Sequence, residues 1–173
     1  MECSKRGGRK DWSSSKTIAP KLPYTRPVPT AAVVLCSGNI EHAGDVVKLN
    51  LTRRMKNRIR SGAEFSDEQL AQLRELSEVI YASLRLLPAA LSTDDVRASA
   101  RLAAQKDVFR ELEQDFISRH MTSTLNKANL SQISALFVDL IRDMHRINSH
   151  IASAGYPILS AAGLLNSTRL ADW

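Results

Sequence analysis

The chain has 173 residues, 43% of them hydrophobic and 5% aromatic, with 24 Lys and Arg against 18 Asp and Glu. That is the length and apolar content of one modest globular unit, and it excludes a multidomain enzyme. The formal charge of +6 is concentrated in residues 1–30, which hold seven basic and two acidic side chains; the rest is almost balanced, so no nucleic-acid partner is expected.

Residues 1–30 carry Gly7-Gly8, Ser13 to Ser15 and prolines at 20, 23, 27 and 29, with no apolar period. They read as a disordered basic, proline-rich tail, and no apolar stretch follows the basic residues as a signal peptide requires. Apolar runs such as Ala31 to Cys36 and Ala152 to Leu159 fall far short of the roughly 20 residues that cross a bilayer, so no transmembrane segment is expected in this chain. Cys3 and Cys36 form no C-x-x-C pair, which suggests neither a disulfide framework nor a zinc-thiolate site and fits a reducing, cytoplasmic setting.

From residue 31 the pattern becomes helical. Cys36, Ile40, Ala43, Val47 and Leu51 recur at intervals of three and four, predicting a first helix over 31–60. It ends among Arg53, Arg54, Lys56, Arg58 and Arg60, cations at the negative end of the helix dipole, before a Ser61-Gly62 turn. Ser66 and Gln69 make a capping box, with Phe65 against Leu70 as its hydrophobic staple, and open a second helix over 67–90. Pro88 should disturb its last turn.

Ser92 and Asp95 resemble another capping box, opening a third helix over 93–121 with Ala98, Leu102, Phe109, Leu112 and Phe116 on its stripe. A polar connection over 122–129 precedes the longest apolar period, Ile133, Phe137, Leu140, Met144, Ile147, Ile151, Ala154 and Ile158, with a bend at Tyr156-Pro157 and a stop at Gly163. No strand-like alternation occurs. The expected fold is all-α, an antiparallel bundle of about four long helices over 31–165, with a C-terminal tail over 166–173. Ile40 and Val47 from the first helix, with Leu140, Met144, Ile147 and Ile151 from the fourth, are its expected structural seam.

Two carboxylate pairs stand out. Glu41 and Asp45 lie one helical turn apart around Gly44, and Asp139 and Asp143 repeat the spacing on the fourth helix beside Arg146 and His150. Like charges so placed repel unless a cation or basic side chain lies between them, and a divalent or ferric ion would suit oxygen ligands contributed by several helices. A solvated or salt-bridged acidic face is the competing reading. His145 and His150 diverge by about 140° around a helix and make a poor chelating pair. No Walker loop, dinucleotide fingerprint, nucleophile elbow or H-E-x-x-H motif is present, so a noncatalytic protein is expected.

Residues 36–47 (CSGNIEHAGDVV) and 140–159 (LIRDMHRINSHIASAGYPIL) resemble the PhoU-like cytoplasmic domain at the C-terminal end of bacterial sodium/phosphate cotransporters, a likeness covering about residues 32–165. It implies a PhoU-like bundle of three-helix repeats, able to bind multinuclear metal through E-x-x-x-D carboxylates, here Glu41 and Asp45. The matching positions of a second repeat fall on His145 and Ser149, which depart from the motif.

The resemblance thus implies a regulatory module of sodium-dependent phosphate transport, membrane-associated and metal-binding, without the transport domain. Its partner would be a sodium/phosphate transporter membrane domain or, for a PhoU-like accessory protein, a phosphate-signalling protein. The start of the first three-helix repeat looks missing, as in a truncated gene, so the open side of the first helix would need a partner or self-association to cover it. A helical fragment without independent function is the remaining alternative.

Overall fold

The structure is a computed structural model describing residues 30–92, 95–125 and 132–165; the expected tails over 1–30 and 166–173 lie outside the described residues except for Thr30, which opens the first helix. Helix α1 (Thr30–Asp45), a π-helical segment (Val46–Leu51) and α2 (Thr52–Ser61) run on without a break as the first long rod. The others are α3 (Asp67–Ser92), α4 (Val96–Leu125) and α5 (Gln132–Ser153), followed by the short α6 (Tyr156–Ala161). Among the described residues the fold is an all-α bundle of four rods.

The π-helical segment alters the first rod. The Thr52 N–H and hydroxyl both donate to the Val47 carbonyl five residues back, widening the turn by about one residue. Val46, three residues on from the buried Ala43, is buried at 5% exposure while Val47 is 45% exposed. Of the expected seam positions Val47 is therefore not buried: the core takes Val46, three residues on from Ala43, where the seam was counted at four, and Val47 lies at its open edge. Gly62, at φ 66°, then ends α2 with its N–H donated to Ile59. A side chain would strain that left-handed conformation.

The capping box of α3 forms as its residues suggest. The Ser66 N–H donates to Gln69 Oε1 at 3.0 Å, and the Gln69 N–H donates to Ser66 Oγ at 3.2 Å. Phe65 and Leu70 join the same apolar cluster. Helix α3 continues past Pro88 to Ser92. The third rod starts later than expected: Asp95 is itself the N-cap, its Oδ1 accepting the Arg97 and Ala98 N–H groups at 2.8 and 3.2 Å. Helix α4 also runs on to Leu125, four residues beyond its expected end.

Helix α5 is the central rod, touching α1, the π-helical segment, α2, α3 and α4. Its residues Phe137, Leu140, Ile141 and Met144 pack with Leu76, Phe109 and Phe116 in one cluster, and Ile147 and Ile151 pack with Ala43, Val46, Leu102 and Ile158 in another. Where α5 turns into α6, Gly155 lies so close to α4 that a Cβ there would stand 3.3 Å from the Ser99 carbonyl. The chain thus breaks at Ala154-Gly155 and restarts with Pro157 in the first turn of α6, where a missing N–H costs nothing. Gly163, at φ 70°, closes α6.

Candidate functional site

Two long apolar rods flank α5 without closing over it. The first rod packs on α5 and α3 packs on α4 and α5, leaving between them an open groove of about 550 Å³. Ile40, Gly44 and Val47 line one wall, Ile80, Tyr81 and Leu84 the other, and Leu140, Met144, Ile147 and Ile151 the floor. All six expected seam residues thus face this groove. The four from α5 are buried, whereas Ile40 is half-buried and Val47 exposed. Gly44 leaves its stretch of wall low: a Cβ built there meets nothing within 4 Å.

The carboxylate pairs have parted company. Glu41 and Asp45 are exposed on α1. Asp143 is buried on α5, its side chain only 4% exposed, and is taken up by the first rod. Arg54 Nε donates to Asp143 Oδ2 at 2.7 Å, Asn50 Nδ2 donates to Oδ1 at 3.2 Å, and Arg54 Nη1 reaches Asp139 Oδ2. One guanidinium thereby occupies the place a cation would take between Asp139 and Asp143. Arg146, which the sequence places beside the pair, stays 3.9 Å from Asp143 and more than half exposed.

The expectation of a metal-binding, membrane-associated module is corrected on both counts. Among the described residues, no group of three or more His, Cys, Asp or Glu side chains is placed to hold a metal ion. Glu41 and Asp45 gain no third ligand, and Asp139 and Asp143 are bound by Arg54. No described helix is long and apolar enough to cross a membrane.

The histidines separate as their spacing implies. His145 pairs with Glu113 of α4 and lies edge-on to Phe109, ring centroids 5.8 Å apart, whereas His150 faces His42 of α1 at 5.4 Å. Two buried polar links were not legible in the sequence. The Ser83 hydroxyl donates to Asn148 Oδ1 at 2.8 Å and Asn148 Nδ2 donates to the Gln105 carbonyl at 3.0 Å, joining α3, α4 and α5. The Cys36 thiol, buried against α6, donates to the Ala154 carbonyl at 2.9 Å, and burial pushes its pKa up, so it is a packed thiol rather than a nucleophile.

No family model matches the chain, and no solved structure matches it. Over 131 residues, 75% of this chain, it is 29% identical to a protein of Escherichia coli (strain K12) named "Putative inorganic phosphate export protein YjbB". The protein of the same name from Salmonella typhimurium (strain LT2) is 28% identical over the same length. The match takes up 24% of these relatives, so the chain spans about a quarter of the length of the curated relatives it matches. The homology is distant and partial.

Proposed function

We propose that this chain is a noncatalytic, PhoU-like regulatory module of sodium-dependent phosphate transport, acting in the cytoplasm by docking a helix of a transport protein in the groove between α1 and α3. The observation that carries this reading is the similarity to phosphate-export proteins that hold about three quarters of their length outside the matching region. A segment that makes up a quarter of such a protein has the rest of it as its natural partner. The groove offers that partner an apolar bed with small residues, Ala43 and Gly44, on one wall, as close helix packing requires.

Co-expression tests the proposal. The chain is produced with Escherichia coli YjbB lacking its own matching quarter, the two are co-purified, and phosphate efflux is followed. Retention of the chain together with a changed efflux supports the module. Failure to co-purify with efflux unchanged rejects it. Recovery of a phosphate-signalling sensor instead would move the chain to the accessory-protein reading.

A further inference from the structure

A second cavity, of about 390 Å³, opens on the other side of the first rod, where α1 and the π-helical segment meet the end of α5. His42, Asp45 and Asn50 line it from the first rod, and Arg146 and His150 from α5. The His42 and His150 rings stand 5.4 Å apart, and His150 Nδ1 lies 3.4 Å from Asn39 Oδ1, leaving Nε2 as its other polar atom.

Arg146 is released for this cavity by its neighbours. Both Asp143 oxygens already accept shorter hydrogen bonds from Arg54 and Asn50, and Arg146 stands off at 3.9 Å with its side chain 59% exposed. Burial, then the nearness of His42 and of Arg146, lowers the proton affinity of His150. One guanidinium and two imidazoles thus share an opening in which Asp45 is the lining carboxylate, a set of donors and one acceptor that suits an oxyanion still carrying a proton.

We propose that this cavity binds inorganic phosphate, held by Arg146, His42 and His150, with Asp45 accepting a hydrogen bond from a protonated phosphate oxygen. Asp45 supplies the selectivity. Near neutral pH inorganic phosphate keeps at least one proton, a phosphomonoester with a second pKa of about 6 has mostly lost its own, and sulfate has none to donate. The inference rests on the phosphate-transport reading for its biological meaning and gives that module a site at which the transported ion itself would be sensed.

The test is calorimetric titration of the full chain near neutral pH with inorganic phosphate, sulfate and phenyl phosphate, with the His42 and His150 ring resonances followed by NMR. Saturable phosphate binding that moves both rings is expected, with sulfate and phenyl phosphate at least about tenfold weaker; losing one charge-assisted hydrogen bond costs at least that factor. Arg146→Gln, at an exposed position, should weaken phosphate about tenfold or more without lowering the melting temperature. Asp45→Asn should narrow the preference for phosphate over sulfate. No saturable binding, or binding indifferent to Arg146→Gln, overturns the site. Partner capture with no phosphate binding defeats this inference alone, whereas phosphate binding with no capture defeats the docking proposal and leaves the site standing.

Discussion

Asp143 is the most exposed to consequence of the charged side chains in the bundle, because its carboxylate is buried and depends on groups that arrive from about 90 residues earlier. Removing one partner of a buried pair leaves an uncompensated charge, which costs roughly 3–5 kcal/mol. Arg54→Ala should fall at the lower end of that range, since Arg54 is 30% exposed and Asn50 still donates. Adding Asp143→Asn should recover much of the loss in chemical denaturation; equal stability of Arg54→Ala and the unchanged chain would show that the pair carries nothing.

Acidity acts through two other side chains. His120 and His150 both bind protons less readily in the fold than an ordinary histidine, each chiefly because of burial. A folded-state pKa below the unfolded value of about 6.5 means that the unfolded chain takes up protons first, so stability is full above that pH and declines as the pH falls toward the folded values. Melting temperature should therefore drop on acidification from pH about 7 to about 5. His150→Gln should flatten that slope in part, and an unchanged slope in both His120→Gln and His150→Gln would assign the acid sensitivity elsewhere.

At the scale of the element, the π-helical segment decides which side chains meet. A π-helical turn houses about one residue more than an α-helical turn while the flanking helices keep their faces. Deleting Lys48, exposed within the segment, should thus let the rod become α-helical throughout, with Asn50 and Arg54 still within reach of Asp143. Circular dichroism should show undiminished helix content, and melting should not fall; a large loss of stability would mean that the widened turn itself is required.

This element also marks where sequence reading stops. The Ser66 and Gln69 cap, the α5 stripe and an interruption near Tyr156-Pro157 were readable because each depends on residues within one or two turns, although the chain breaks just earlier, at Ala154-Gly155. The burial of Val46 rather than Val47 was not, since intervals of three and of four both fit a helical period and both residues are valine. Nor was Arg54 separable from its basic run, where the helix dipole already accounted for its charge; its true partner lies on another rod. The paired carboxylates suggested a cation, and the cation proved to be a guanidinium.

For the whole molecule, the groove would let folding be separated from the proposed docking, because several of its lining residues are largely exposed in the free bundle. Val47 and Leu84 are 45% and 42% exposed on opposite walls, so Val47→Glu and Leu84→Glu should each change stability by less than about 0.5 kcal/mol, as surface substitutions usually do. A charge on either wall would nevertheless have to be stripped of water beneath a docked helix, costing several kcal/mol of binding. Gly44→Leu makes the same point from the opposite direction. Replacing a helical glycine should raise stability by up to about 1 kcal/mol, and with nothing within 4 Å of the new Cβ the side chain has room in the free chain. In the proposed complex it would stand where a docked helix would lie. All three variants should melt at or near the temperature of the unchanged chain yet lose co-purification with the truncated exporter, and retention by all three would place the contact with the transport protein on some other face of the bundle.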